Sequence, residues 1–296
     1  MEEIDLLIEK DNIEKALTFY NINIEDYKDK CYKCLDDINK NKELKTRINN
    51  VLKFLYSNES KQLKLLWNES DLSRFLGESY NKFIHNIILL SGYKIHEENM
   101  SKYNFDTYQV LAHKNRVREC LTNDIYNRKL KGIRLSQTLW GIYFIKIKLI
   151  EVGRLQYEYC NNKKGKYIKI HIPKGDKLLY NGVIKSIKDS KKEIKKYFEL
   201  ENCDYYCESW LLSKEITKLL DNNSNILKFQ KLFDITEGKN AIKDILNFVF
   251  DLQQIDSYYK LPENTSLQSR IKGLLVDGKE IYIGIGKLKK LYKKDN

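Results

Sequence analysis

Length, composition and charge narrow the class of protein. The chain has 296 residues, 42% of them hydrophobic, which is enough to build one large domain or two smaller ones. Its formal net charge is +12, and clustered cations often bind phosphates. Here, however, the lysines of residues 185–192 fall between apolar positions, as on the solvated face of a surface helix. The charge therefore predicts no dedicated nucleic-acid partner.

The sequence also argues against a membrane protein and against a disulfide scaffold. The longest apolar run, residues 139–150, is too short to cross a bilayer and contains Lys146 and Lys148. Six cysteines in a chain of this length, with no secretory leader, predict free thiols in a cytoplasmic protein. Cys31 and Cys34 have the spacing of a metal or redox motif, but no histidine lies near them, so we expect no metal site.

The first 130 residues are predicted to form a helical domain. Apolar residues recur with helical spacing in three segments, 4–19, 44–55 and 72–88, and Ser70 is placed to cap the third. Clusters of Asn and Asp between the segments indicate turns. We therefore expect a small bundle of helices.

Three of the four histidines fall in this first domain. His85 lies on the apolar side of its predicted helix, whereas His96 and His113 lie in polar surroundings near helix ends. The polar segment 92–103 around His96 is predicted to be a loop, and Asp106 is placed to cap the next helix. We interpret all three histidines as structural.

Residues 131–296 alternate between strand-like and helical patterns. Residues 139–150 fit a strand, because Ile145, Ile147 and Leu149 alternate with lysines, and equally a buried helix capped by Ser136. Further along, the patterns predict a hairpin of strands 154–160 and 167–172, a helix 182–198, a strand 204–208, helices 213–220, 241–250 and 266–275, and a strand 280–285. This density of strands and helices indicates an α/β or α+β domain around one sheet.

Polar residues interrupt the apolar segments of this second domain. They occur in five places: 153–158 (GRLQYE), 171–175 (HIPKG), 207–212 (CESWLL), 224–226 (SNI) and 261–268 (LPENTSLQ). Polar and charged groups are costly to bury without partners, so these motifs indicate a site. Their order and spacing resemble bacterial acyltransferases that carry a GNAT-like C-terminal domain behind a helical N-terminal domain.

The resemblance implies a fold and a co-substrate. The expected fold is a GNAT-like mixed sheet flanked by helices at 131–296, after an all-helical domain at 1–130, with a helix at 136–151. GNAT proteins hold acyl-CoA where two neighbouring parallel strands separate, with the diphosphate at the start of the following helix. The resemblance therefore implies that acyl-CoA or acetyl-CoA is bound, without a metal, by residues of this turn: Pro173, Lys174, Gly175, Lys177 and Gly182. The turn lacks the usual Gly-x-Gly pattern.

The implied reaction needs a base for the acceptor and a proton donor for the leaving thiolate. Glu158 and His171 are the candidate bases, and Ser209 is the candidate donor. Structural roles compete with these assignments. His171 would cap a strand end, Glu158 would pair with Arg154 or a lysine, and Ser209 would cap the helix that begins near Ser213.

Four residues are candidates for binding the substrate. Arg154 and Gln156 point to the same face of their predicted strand, where they would recognise a carboxylate or amide. Trp210 would form a pocket wall or core, and Asn225 would bind substrate or a loop backbone. Gln268 would bond a loop backbone. Two functions remain open: transfer of an acyl group from acyl-CoA or another thioester to a small-molecule amine or hydroxyl, or a GNAT-shaped module that binds a ligand or protein without catalysis.

Overall fold

The structure, a computed structural model, describes residues 8–56, 83–163, 165–252 and 254–290. By its contacts the chain divides into two units, residues 1–149 and 150–296. In the first unit the described residues form seven helices: α1 Lys10–Phe19, α2 Tyr27–Lys40, α3 Lys42–Tyr56, α4 Ile84–Leu90, α5 Tyr93–Lys102, α6 Thr107–Tyr126 and α7 Leu135–Ile145. The sequence prediction had assigned α7 to the second domain.

The helical character of the first unit is confirmed, with differences in its elements. Helices α1 and α3 occupy two of the predicted segments. The third predicted helix, together with Ser70, lies outside the described residues up to residue 82, and its last residues coincide with α4. Helix α2 was not predicted, because its charged residues mask a buried stripe that contains Cys31 and Cys34.

The prediction of a loop at 92–103 is wrong. Residues Tyr93, His96 and Met100 are buried at spacings of three and four, so α5 presents one face to the core and its charged residues to solvent. The cap predicted at Asp106 is confirmed. Its Oδ1 accepts from the Gln109 backbone N–H at 2.8 Å, and Gln109 Oε1 accepts from the Asp106 N–H at 3.1 Å.

A buried amide connects helices of the first unit. Asn86 Nδ2 donates to the Tyr27 hydroxyl at 2.7 Å and to the Leu121 carbonyl at 3.1 Å, while its Oδ1 accepts from the Ile133 N–H at 3.2 Å. Asn86 is fully buried, so each of these bonds satisfies a group that water does not reach. The polar residue therefore fixes how α2, α4 and α6 pack.

Both patterns seen in residues 139–150 are present, one after the other. Helix α7 ends at Ile145, and Ile147 has a positive φ of 49°. Strand β1 begins at Leu149. The helix that the family resemblance implied at 136–151 is thus wrong at its end, because the left-handed residue stops it. The cap position is Arg134 rather than Ser136.

The second unit contains a mixed sheet flanked by helices. Its elements are β1 Leu149–Val152, β2 Leu155–Asn162, β3 Gly165–His171, α8 Tyr180–Phe198, β4 Asp204–Ser209, α9 Lys214–Leu219, α10 Asn225–Gln230, β5 Phe233–Asn240, α11 Ile242–Val249, α12 Ser266–Val276 and β6 Tyr282–Leu288. The strand order is β1-β2-β3-β4-β6-β5. Strands β3 and β4 are parallel, whereas the pairs β2–β3, β4–β6 and β5–β6 are antiparallel. This confirms the predicted fold class.

Most predicted elements of this unit are present within a few residues. The hairpin of β2 and β3, helix α8, strand β4 and helix α12 were all predicted from their patterns. Strand β5 and helix α10 were missed. The burial pattern of β5 shows why: only its first residue is buried, so it lacks the apolar alternation that identifies a strand.

The two faces of the sheet differ in chemistry. Successive residues of a strand point to opposite faces, so Tyr157 and Cys207 lie on one face, and Glu158, Lys169 and Glu208 on the other. The first face packs on α8, where the Tyr157 hydroxyl lies 2.8 Å from Ser186 Oγ. The second face carries the charges. None of the helices among the described residues is long and apolar enough to span a membrane.

Candidate functional site

The parallel strands β3 and β4 separate at one end of the sheet. Their paired residues run from Tyr167–Asp204 to Ile170–Cys207, whereas β3 continues to His171 and β4 to Ser209. A turn of residues 172–179 follows β3 and leads into α8. The last residue of β3 is therefore the first that has no partner on β4.

At this point His171 is bonded to Glu158 across the β2–β3 hairpin. The His171 Nε2 and Glu158 Oε2 atoms are 2.7 Å apart, and the side chains are 19% and 16% exposed. Burial by itself raises the pKa of Glu158, but the hydrogen bond from His171 and the charges of His171 and Lys169 outweigh burial and leave the pKa lowered. The pair is thus a carboxylate and an imidazole at the edge of solvent.

A Lys–Glu ion pair lies beside this hydrogen-bonded pair on the same face. Lys169 is the cross-strand partner of Glu158, and its Nζ donates to Glu208 Oε2 on β4 at 2.7 Å. The bond from Lys169 lowers the pKa of Glu208. The sequence prediction gave Lys169 and Glu208 no role. The sequence signal that could have identified Lys169 and Glu208 is a charged residue that alternates with apolar residues along a strand.

Ser209 lies away from the pair of Glu158 and His171. By strand alternation it shares the face of Cys207, and its Oγ accepts from the Leu211 N–H at 3.1 Å. It therefore caps the 3₁₀ turn Trp210–Leu212 rather than the helix that begins after Ser213. Cys207, on this same face, is 1% exposed, and burial raises the pKa of its thiol to about 12.

Arg154 and Gln156 do not share a strand face as predicted. Gly153 has a positive φ of 58°, so the chain turns there and β2 begins only at Leu155. Arg154 Nε donates to the carbonyl of Asp176 at 2.9 Å, in the turn before α8. Gln156 is 2% exposed, and its Nε2 donates to Glu151 at 2.8 Å.

The other proposed substrate residues lie in the helical layer. Trp210 packs partly buried against the apolar cluster of α9, α11 and α12. Asn225 is the first residue of α10, after the Ser224 cap. Gln268 Nε2 donates to the Val249 carbonyl at 2.8 Å, as expected for an architectural amide. Gln230 acts similarly, since it bonds the Leu211 carbonyl at 2.8 Å.

The turn before α8 is the predicted phosphate site. Gly175 has a positive φ of 141°, and no atom lies within 4 Å of the position that a Cβ would occupy at Gly175 or Gly182. Pro173 lies at the start of the turn, and the Lys177 carbonyl accepts from the Leu179 N–H at 2.9 Å. Helix α8 has no side-chain cap and no acidic residue in its first turn. These features suit an anion, because the first N–H groups of a helix are donors.

One lysine of this turn already has a carboxylate partner. Lys174 Nζ lies 3.1 Å from Asp251 Oδ2, with the side chains 75% and 54% exposed. Among the described residues, no group of three His, Cys, Asp or Glu side chains is arranged to hold a metal ion. Cys31 and Cys34 are both buried inside α2, which raises the pKa of each thiol.

Comparisons with known proteins agree with this architecture. Residues 149–288 match the family described as GNAT-like C-terminal domain. A solved structure described as an acyltransferase in complex with decanoyl-CoA is 15% identical, over 93% of this chain and 98% of that chain, with a TM-score of 0.64. Another, an acyltransferase in complex with decanoyl-CoA and teicoplanin, is 16% identical over 94% and 99%, with a TM-score of 0.62. Curated protein sequences give no match. The chain therefore shares its fold with these solved structures, and its residues 149–288 are similar to the family described as GNAT-like C-terminal domain.

Proposed function

We propose that the protein transfers an acyl group from acyl-CoA to an amine or hydroxyl of a small molecule, with Glu158 and His171 removing the proton of the acceptor. The observation that carries the proposal is the 2.7 Å hydrogen bond between His171 Nε2 and Glu158 Oε2, at the point where β3 parts from β4. The shared fold with proteins crystallised with decanoyl-CoA supports the choice of donor.

The pair has the chemistry of a general base. Because Glu158 is a carboxylate, it accepts a hydrogen bond and so places the ring proton of His171 on Nε2. Nδ1 is then the basic atom. It takes the proton of the acceptor as the acceptor nitrogen or oxygen attacks the thioester carbonyl, the C–S bond breaks, and the imidazolium returns that proton to the departing CoA thiolate. Glu158 stabilises the imidazolium that results. A positioned base of this kind contributes about 10²–10⁴-fold to a rate.

Acyl-CoA, when bound, supplies the acyl group in a form activated as a thioester. The turn before α8 fits the phosphates of such a molecule, because no atom lies close to Gly175 or Gly182 and no side chain caps the start of α8. Gly175, Lys177 and Gly182 are the residues that would hold it, with Pro173 shaping the turn and Lys174 exchanging its bond to Asp251 for one to phosphate. We place the reaction in the cytoplasm, which suits six free cysteines.

The first experiment measures binding of decanoyl-CoA by calorimetry and by its effect on thermal unfolding. A ligand at a hundred times its dissociation constant stabilises the folded protein by about 2.7 kcal/mol. Mass spectrometry then follows decanoyl transfer to a panel of primary amines, amino sugars and alcohols. Glu158→Gln and His171→Ala should bind decanoyl-CoA like the unsubstituted protein and lose transfer.

Lys287→Met is the matched control, because Lys287 forms an ion pair with Asp204 at 2.6 Å on the same face of the sheet. It should retain both binding and transfer. Absence of decanoyl-CoA binding, or full transfer by His171→Ala, would contradict the proposal.

The second candidate is a GNAT-shaped module that binds a ligand without catalysis. One observation favours it: Lys174, in the turn that departs from the Gly-x-Gly pattern, is bound to Asp251. This candidate predicts binding of an acyl-CoA or another ligand with no transfer to any acceptor of the panel, and no change in that binding for Glu158→Gln.

A further inference from the structure

Four ionisable side chains form a row across three strands of the sheet, and Lys169 lies within this row. From β2 to β4 the row is Glu158, then His171 and Lys169 on β3, then Glu208. Lys169 is the cross-strand partner of Glu158 and donates to Glu208 at 2.7 Å, and its side chain is 28% exposed. A single cation thus separates two carboxylates on a partly buried surface.

Several carboxylates lie close to Lys169, and its positive charge compensates theirs. Asp244 of α11 lies near the same lysine and Glu208, and burial, with the charge of Glu208, raises its pKa despite Lys239 and Lys169. Three carboxylates, those of Glu158, Glu208 and Asp244, therefore surround Lys169. Like charges at close range favour the uptake of a proton by one of them, unless a cation compensates.

We propose that Lys169 is a positioning residue for the proposed acyl transfer: placed between Glu158 and Glu208, it keeps Glu158 a carboxylate that accepts the hydrogen bond from His171. This inference rests on the function proposed for Glu158 and His171. Its geometric basis is the position of Lys169, opposite Glu158 in the hairpin and bonded to Glu208 on the next strand.

The consequence for the reaction follows from hydrogen-bond chemistry. An ionised Glu158 only accepts, so His171 keeps its proton on Nε2 and Nδ1 is basic. A protonated Glu158 would donate to Nε2 instead, and the ring proton would move to Nδ1. His171 would then be unable to accept a proton from the substrate at Nδ1. Lys169 thereby selects the tautomer that is competent as a base.

Several titratable groups face Glu158, and the effect of Lys169 has to be separated from theirs. Cys160 of β2 and Tyr167, Lys169 and His171 of β3 lie on its face of the hairpin. On β4 the facing groups are Asp204, Tyr206 and Glu208, and Lys239 and Asp244 lie close to Glu208. Lys169 is the one among the cations that lies directly opposite Glu158 in register.

The experiment follows the protonation of Glu158 by carbon-13 NMR in the full chain, with no ligand added. Glutamate is labelled at its carboxyl carbon, the Glu158 signal is assigned with Glu158→Gln, and nitrogen-15 shifts report the tautomer of His171. In Lys169→Met the Glu158 carboxyl should titrate at higher pH than in the unsubstituted protein, with more of the Nδ1–H tautomer. Lys169→Arg should restore both.

Two further variants give the test its controls. Lys287→Met removes an ion pair of the same type from β6 and should leave the Glu158 titration unchanged. Glu208→Gln removes the carboxylate on the far side of Lys169, so the pH at which Glu158 titrates should fall. This variant tests the coupling even if Lys169→Met does not fold. A Glu158 titration that is the same in all folded variants would overturn the inference.

The result is independent of the proposed function. If decanoyl-CoA does not bind, the proposed acyl transfer is contradicted, but the coupling between Lys169 and Glu158 can still be measured. If transfer occurs and depends on His171, but Lys169→Met leaves the Glu158 titration and the His171 tautomer unchanged, only the role of Lys169 is wrong.

Discussion

The histidines of the two units have opposite environments. In the helical unit, His96 and His113 are 0% and 3% exposed and lie among aromatic rings, with the Phe105 and Phe144 rings 4.7 and 5.3 Å from that of His113. In the sheet unit, His171 is partly exposed and bonded to a carboxylate. The first environment favours a neutral ring, whereas the second supplies a carboxylate as a hydrogen-bond partner.

The groups around each histidine therefore decide whether it has a packing role or a possible role in chemistry. Burial lowers the pKa of His113 to about 3 and that of His85 to about 4, and it lowers the pKa of His96 well below its ordinary value. These rings therefore stay neutral and contribute to packing. His171 instead has a carboxylate partner, because its Nε2 lies 2.7 Å from Glu158 Oε2.

The largest expected effect is on transfer in His171→Ala. Loss of the base should slow decanoyl transfer by about 10²–10⁴-fold, because the acceptor then loses its proton to water alone. The fold should be retained, since the side chain lies at the end of a strand. Rates from mass spectrometry, with circular dichroism as the check on folding, measure this. Transfer within a factor of two of the unsubstituted protein would remove the contrast between the two regions.

In the helical unit, His113→Ala should lower the stability of the fold and leave the rate of decanoyl transfer unchanged. Removing a buried ring that packs on Phe105 and Phe144 leaves a cavity, and we expect the free energy of unfolding to fall by about 3 kcal/mol. Urea unfolding followed by Trp140 fluorescence reports on the helical unit. A variant with unchanged stability and lost transfer would show that His113, too, belongs to a site.

The two regions should also respond to acid in different pH ranges. The buried histidines have folded pKa values below the unfolded value of about 6.5, so the unfolded chain binds more protons and stability falls as the pH drops below about 6.5. Each contributes at most about 1.4 kcal/mol per pH unit, down to about pH 4 for His85 and about pH 3 for His113.

For Glu158 the sign is the same but the range is lower. Its folded pKa is below the unfolded value, so its contribution is present above about pH 4.5 and is lost as the pH falls through the folded pKa. Urea unfolding at pH 7.5, 6 and 5, observed at Trp140 and at Trp210 in single-tryptophan variants, separates the units. Equal losses at both tryptophans between pH 7.5 and 5 would disagree with this assignment.

The smallest expected effect concerns Lys174→Ala, in the turn before α8. Its ion pair with Asp251 is exposed, so the free energy of unfolding should change by less than about 0.5 kcal/mol. Binding of decanoyl-CoA should weaken and lose part of its salt dependence if Lys174 contacts phosphate. Lys185→Ala is the control, because Lys185 forms an exposed pair with Asp189 within α8. Equal affinity in both variants would remove Lys174 from the phosphate site.

Particular residues show how far sequence patterns reach. Asp106 and Gln109 identify a capping box by their spacing alone, and the β2–β3 hairpin follows from two β-branched and aromatic runs. The loop predicted at residues 92–103 failed because its polar composition hid three buried positions on one helix face. Arg154 was assigned to a strand because the sequence does not display the left-handed turn at Gly153.

The candidate site shows the same limit. Glu158 and His171 were selected as bases from the chemistry of their side chains, and their hydrogen bond depends on the register of β2 against β3. Lys169 and Glu208 received no role, because their ion pair joins strands that a helix of 19 residues separates in the chain. Ser209 was selected as the proton donor of the same reaction, but strand alternation places it on the face of the sheet opposite to Glu158.

The sequence by itself determined the helical first part, the alternating second part and the polar motifs that mark one end of the sheet. These depend on local spacing, capping and turn chemistry, which a single segment carries. Only the tertiary structure decided which histidines are core and which one has a carboxylate, and it placed Lys169 between two carboxylates. The physical reason is that burial and charge pairing depend on residues far apart in the chain, brought together by strand register and helix packing.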